Sequence, residues 1–150
     1  MREILFRGQT RRKGQKVWMD GTPVDSKWVE GYGVCMGKGD FSVIYAGDHV
    51  EKFTVYTDTV GQFTGLTDKN GKKIFEGDIV HILGNQQVED WKNVNYIALI
   101  AFLDGGFCAI DGTIEEHAFR RYGLERMDFD LEVIGNIHDN PELLGGADND

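Results

Sequence analysis

A chain of 150 residues, 41% hydrophobic and 27% charged, is long enough for one domain with a buried core and too apolar to remain disordered. No run approaches the roughly 20 apolar residues of a membrane-spanning helix, and Met1-Arg2-Glu3-Ile4-Leu5-Phe6-Arg7-Gly8 lacks a signal peptide's apolar core, so the cytoplasm is expected, with no membrane involved. The net charge of −9 repels phosphate backbones and argues against general nucleic-acid binding.

That charge is uneven. Residues 1–16 carry six basic side chains against one acid, while residues 127–150 carry seven acids and no Lys or Arg. Glycine is abundant at 20 residues and proline scarce at 2, which suits tight turns between strands. Short runs of β-branched and aromatic residues separated by Gly, Asn or Asp predict strands. They lie at Glu3–Arg7, Lys16–Asp20, Lys27–Val34, Phe41–Ala46, Lys52–Asp58, Ile79–Leu83, Tyr96–Leu103, Phe107–Ile110 and Phe129–Ile137. The first half reads as a meander of hairpins. Tyr96–Leu103 is apolar on both alternating faces and is expected to be a central strand covered on each side. Asp104-Gly105-Gly106 then predicts a tight hairpin.

One helix is signalled, over residues 114–122. Thr113 with Glu116 forms a capping box, Arg120-Arg121 complement the dipole at the far end, and Gly123 suits the position after it. Ile114, Ala118, Phe119 and Tyr122 would form its buried stripe. Phe129, Leu131 and Val133 alternate with Asp128, Asp130 and Glu132, which predicts a half-buried strand with one wet face. At the end, Asn140 suits an N-cap and Pro141 the first helical position, so Glu142-Leu143-Leu144 are expected to form one turn that buries two leucines.

The densest local signal is Thr64–Val80. Asn70-Gly71 predicts a type I′ turn, Ile74 and Phe75 an anchor in the core, and Glu76-Gly77-Asp78 a turn into the strand that follows. As a calcium loop it fails: Asp68 and Asn70 fit the first and third places, but Lys73 stands where the sixth needs glycine. The run Thr59–Ile79 closely resembles the signature of the YopX family of phage and prophage proteins. Arg2-Glu3-Ile4-Leu5-Phe6-Arg7-Gly8 is similar to that family's start, and Glu132-Val133-Ile134-Gly135-Asn136-Ile137-His138-Asp139-Asn140-Pro141-Glu142-Leu143-Leu144 to its end. The resemblance implies a β-dominated protein of phages and prophages in a bacterial cytoplasm, and supplies no catalytic residues. Gly65, Asp68, Asn70, Gly71, Glu76, Gly77, Asp78, Gly135, Asn136 and Pro141 are read as its structural signature. The chain departs from the family in its basic run Arg11-Arg12-Lys13 and in a polar insertion, Gly84–Asn95.

No constellation specifies a reaction. Asp128, Asp130 and Glu132 read as a solvated strand face. His49, His81, His117 and His138 fall in unrelated segments without metal-ligand spacing. Cys35 and Cys108 read as two buried thiols in a reducing cytoplasm, with a single disulfide as the alternative, and no histidine lies near Cys108 in sequence. Arg7, Arg11, Arg12, Lys13, Lys16 and Trp18 form the one cluster where basic and aromatic residues mix, the pairing that serves single-stranded nucleic acid. Trp28, Tyr32 and Trp91 are candidate recognition aromatics for which core positions are the commoner use.

The expected fold is mainly β: antiparallel hairpins plus a strongly bent sheet or small barrel and one short helix. The layout is a single domain over 1–150, with a hairpin region over about 1–63, a barrel-like half over about 64–144 and an acidic tail at 145–150. The expected role is that of a non-enzymatic accessory protein that needs no cofactor or metal and binds a host or phage protein. Sheet edges and the acidic tail would find cover in a homo-oligomer. The alternative is a nucleic-acid-associated factor working through the basic segment.

Overall fold

The computed structural model describes residues 3–15, 25–47, 51–83, 95–103, 105–113, 118–123 and 130–145. The fold is mainly β. In chain order the elements are β1 (Phe6–Arg11), β2 (Lys27–Gly31), β3 (Gly33–Cys35), β4 (Phe41–Ala46), β5 (Glu51–Tyr56), a 3₁₀ turn (Thr57–Thr59) and β6 (Gly61–Thr67). There follow β7 (Lys73–Phe75), β8 (Asp78–Leu83), β9 (Asn95–Leu103), β10 (Gly106–Thr113), β11 (Ala118–Gly123), β12 (Asp130–Asn136) and a one-turn helix, α1 (Glu142–Gly145). The chain divides into two compact units, Met1–Gly65 and Leu66–Asp150.

In the first unit, β1 lies between β2 and the first residues of β6, with Phe6 opposite Gly31 on one side and Gln62 on the other. β3, β4 and β5 form a separate antiparallel meander. The two layers pack through Ile44 and Val55, which are fully buried. Burying side chains of this size stabilises by about 1.5–3 kcal/mol each. The approach is close because Gly8 and Gly31 have no Cβ. One at Gly8 would sit 2.8 Å from Val55 Cγ2, and one at Gly31 would run into the backbone carbonyl of Tyr45. Thr59 ties the 3₁₀ turn to β1, accepting from Gln9 N at 2.9 Å and donating to Tyr56 O at 2.6 Å.

The second unit holds a five-stranded antiparallel sheet in the order β11-β10-β9-β8-β12. Register sets the core, because side chains opposite one another share a face. Val80 lies opposite Ala98 and Val133, Ile82 opposite Leu131, and Ile100 opposite Ala109. With Ile74 from β7 these residues form one buried cluster. β9 is central, as expected, but its second face is only partly covered: Ile97 is 41% exposed. Gly105, at φ 83°, turns β9 into β10 in the expected tight hairpin.

The predicted helix over 114–122 is not present in the described part of that segment. β10 continues to Thr113, and Ala118–Gly123 run back beside it as β11, with Thr113 opposite Ala118 and Cys108 opposite Gly123. The cap signals are local and each is worth about 1 kcal/mol. A ladder against β10 supplies hydrogen-bond partners for alternate residues along the strand, and Phe119 and Tyr122 belong to residue types that fit a pleated surface. Residues 114–117 lie outside the described part, as do the predicted strand Lys16–Asp20 and Gly84–Val94 of the polar insertion. The first strand begins at Phe6, later than predicted, and β6 and β7 are not among the predicted strands.

Candidate functional site

The signature residues build scaffold. Asp68 is almost fully buried, and its carboxylate accepts three backbone N–H groups: Asn70 and Lys72 on Oδ1, both at 2.9 Å, and Val133 on Oδ2 at 3.0 Å. Burial alone pushes this carboxyl up. The donors of Val133, Lys72 and Asn70, aided by the charge of Lys72, outweigh it and hold Asp68 below the ordinary carboxylate range. Both oxygens therefore serve the fold, with their lone pairs aimed at amides. The turn itself differs from the predicted type I′. Gly71 N donates to Asp68 O at 3.0 Å and Asp68 N to Lys72 O at 2.7 Å, so Lys69 and Asn70 are the central pair. Gly71, at φ 83°, follows them in the left-handed region, the pattern of a three-residue hairpin loop.

Gly77 and Asp78 close the next turn. Gly77, at φ 93°, donates to Ile100 O at 2.8 Å and accepts from Ile137 N at 2.9 Å, while the buried Asp78 carboxylate takes Phe75 N at 2.8 Å. Near the C-terminus, Asn136 Oδ1 accepts from His138 N and Asp139 N, and Asn140 Oδ1 accepts from Asn136 N. Gly135 has no Cβ because one would lie 2.6 Å from that Asn140 oxygen. Asn140 thus turns its side chain back to Asn136, while its backbone carbonyl receives Leu143 N at 3.0 Å. Pro141 is exposed at the entry to α1, and Leu143 and Leu144 are half-buried.

In the basic segment each described arginine has a contact within the first unit. Arg7 is half-buried with its guanidinium over the Trp28 ring, 4.7 Å from the centroid. Arg11 donates from Nε to Asp25 O at 3.2 Å. Arg12 lies over the Tyr56 ring at 4.1 Å and pairs with Asp58 at 2.9 Å. The turn Arg12-Lys13-Gly14-Gln15 closes with Gln15 N on Arg12 O, Gly14 standing at φ 78°. Gln15 Oε1 takes Arg12 N at 3.1 Å and the Tyr56 hydroxyl at 3.5 Å. Lys13 is exposed; Lys16 and Trp18 lie outside the described residues. The arginine charges are spent on separate elements of the unit itself.

What sequence reasoning missed is the outward face of the β3-β4-β5 meander. Ser42 and Ile44 point inward with Val55. By alternation Phe41, Val43 and Tyr45 point outward, beside Cys35 on β3 and Thr54 and Tyr56 on β5. Phe41 is 55% exposed and stacks against Tyr56 with ring centroids 5.2 Å apart. Met36 and Tyr32 are exposed to a similar degree. Cys35 is exposed on this face, which corrects its reading as a buried thiol; Cys108 is buried as expected. No sequence signal separates the two faces, since Phe41, Val43 and Tyr45 are as apolar as Ile44 and Ala46. Only the packing of β1 and β2 against one side decides it.

Asp130 is exposed, Glu132 pairs with Lys69 at 3.3 Å, and His81 stands opposite Glu132 and Ile97 in register. Among the described residues no three His, Cys, Asp or Glu side chains gather in a metal-holding group, and no helix is long and apolar enough to cross a membrane.

The protein-family model described as YopX protein matches residues 25–145. No curated protein matches the chain. Among solved structures it is similar to protein EF1440 from Enterococcus faecalis, known from a crystal structure, at 24% identity and a TM-score of 0.43, over 94% of this chain and 97% of that one.

Proposed function

Taking as premise that this chain belongs to the YopX family, we propose that it is a non-enzymatic accessory protein of a phage or prophage, acting in the bacterial cytoplasm by binding a host or phage protein through the outward face of β3-β4-β5. The observation that carries this reading is Phe41, more than half open to solvent and packed against Tyr56 on the outward face of β4 and β5. Large apolar side chains grouped on a surface favour association by the hydrophobic effect, and aromatic residues and methionine are enriched in the cores of protein interfaces. Affinity capture from infected or induced cells, with wild type and Phe41→Ser in parallel, tests it. A protein held by wild type and lost by the folded variant supports the reading; equal capture by both sinks it.

A second reading, nucleic-acid association, draws on the Phe41–Tyr56–Arg12 stack, since an exposed ring beside a guanidinium suits an unpaired base. Against it stand the net charge of −9 and the pairing of Arg12 with Asp58. Single-strand affinity at low salt that disappears when Arg11, Arg12 and Lys13 are all changed to Ala would favour it. Absence of low-salt binding in wild type discards it.

A further inference from the structure

β12 is an outer strand of the five-stranded sheet, with β8 as its neighbour on one side. An outer strand presents backbone N–H and C=O groups that a strand from another molecule can take. On β12 a piece of loop already takes two of them. Leu131 O accepts from Lys69 N at 2.8 Å, and Val133 N donates to Asp68 Oδ2 at 3.0 Å. A carbonyl and the N–H two residues further on are the pair that one residue of a parallel neighbour would satisfy, using its own N–H and its own C=O. Here Lys69 supplies the N–H, and the Asp68 side chain supplies the oxygen. The same carboxylate is held in place by Asn70 N and Lys72 N, and Lys69 Nζ reaches Glu132 on the strand at 3.3 Å.

We propose that the Asp68–Lys72 loop is a guard on the β12 edge, its carboxylate replacing a backbone carbonyl so that a second copy of this chain cannot add its own β12 there. The occupant excluded is a second copy because two identical edges can pair antiparallel about a twofold axis, each satisfying the other. The guard explains why an aspartate sits almost fully buried in a loop: no apolar side chain would satisfy Val133 N. It does not depend on the aromatic face of the first unit.

Two variants of the full chain test it, followed by analytical ultracentrifugation over a range of concentrations and by amide hydrogen exchange. Asp68→Ala removes the oxygen. Lys69→Pro removes the N–H given to Leu131, at a turn position where proline is favoured, and reads the question if the alanine variant does not fold. In Asp68→Ala, exchange at Val133 is expected to quicken by about tenfold or more, whereas Lys69→Pro frees the Leu131 carbonyl and leaves Val133 N on Asp68. The mass should rise with concentration toward twice the wild-type value, and the amides of residues 131–133 should regain protection in the associated form. Either variant, folded, whose mass stays at the wild-type value throughout overturns the proposal. So does association that leaves residues 131–133 unprotected.

Discussion

The loop over residues 68–78 and the outward face of β3-β4-β5 show two uses of a β surface. In the loop the buried Asp68 and Asp78 carboxylates cap backbone amides. On the outward face Phe41 and Cys35 are exposed, although the other side of the same strands is packed tight through Gly8 and Gly31. The motif richest in recognisable residues is therefore scaffold, and the plainest alternating strand pair carries the open surface. A dense sequence motif can mark geometry that is hard to build just as well as chemistry.

The largest way to break this comparison is at Gly31. An alanine there would push a methyl group into the Tyr45 carbonyl, and backbone cannot yield as a flexible side chain does. Gly31→Ala is expected to cost about 3 kcal/mol in urea unfolding, against less than about 0.5 kcal/mol for an alanine at Gly39, which nothing approaches.

Next comes the loop. Asp68→Ala leaves three N–H groups without their acceptor and should cost about 2–3 kcal/mol at neutral pH, with Asp68→Asn losing less because one oxygen remains. The folded-state pKa of Asp68 is depressed, so its contribution is fully present above the ordinary carboxylate range and fades as pH falls through the lower folded value. The gap between wild type and Asp68→Ala should accordingly stay constant from neutral pH down to about 5 and narrow below 3.8, as followed by thermal unfolding.

The outward face predicts the opposite pattern. Phe41→Ser should change stability by less than about 1 kcal/mol, since over half of the side chain is already wet, while weakening partner capture at least about tenfold. The smallest effect belongs to the Arg12–Asp58 pair. Both side chains are largely exposed, so a double-mutant cycle should find a coupling below about 1 kcal/mol that shrinks further in salt.

Much of the strand pattern was legible because it rests on local alternation and on glycines that must turn. Phe41–Ala46 matches its strand, Tyr96–Leu103 lacks only the first residue of β9, and the turns at Gly77 and Gly105 fall where expected. The helix over 114–122 failed for a reason visible in its neighbour: β10 offered Ala118–Gly123 a ladder, and local cap chemistry has no knowledge of a neighbouring strand. The turn at Asn70-Gly71 was mistaken by one residue because Asp68, acting through its side chain, moved the hairpin bond to Gly71. The contacts of the basic segment's arginines with Trp28, Asp25 and Tyr56 are tertiary, and no local pattern gives them.

By itself the sequence determined that this protein is mainly β, since period-two apolar runs and turn residues act over a few neighbours, while its place in the YopX family rests on resemblance. Only the tertiary structure decided which apolar face is buried and which is left to water. Both faces of β4 carry apolar residues, and burial depends on which strands arrive from elsewhere in the chain.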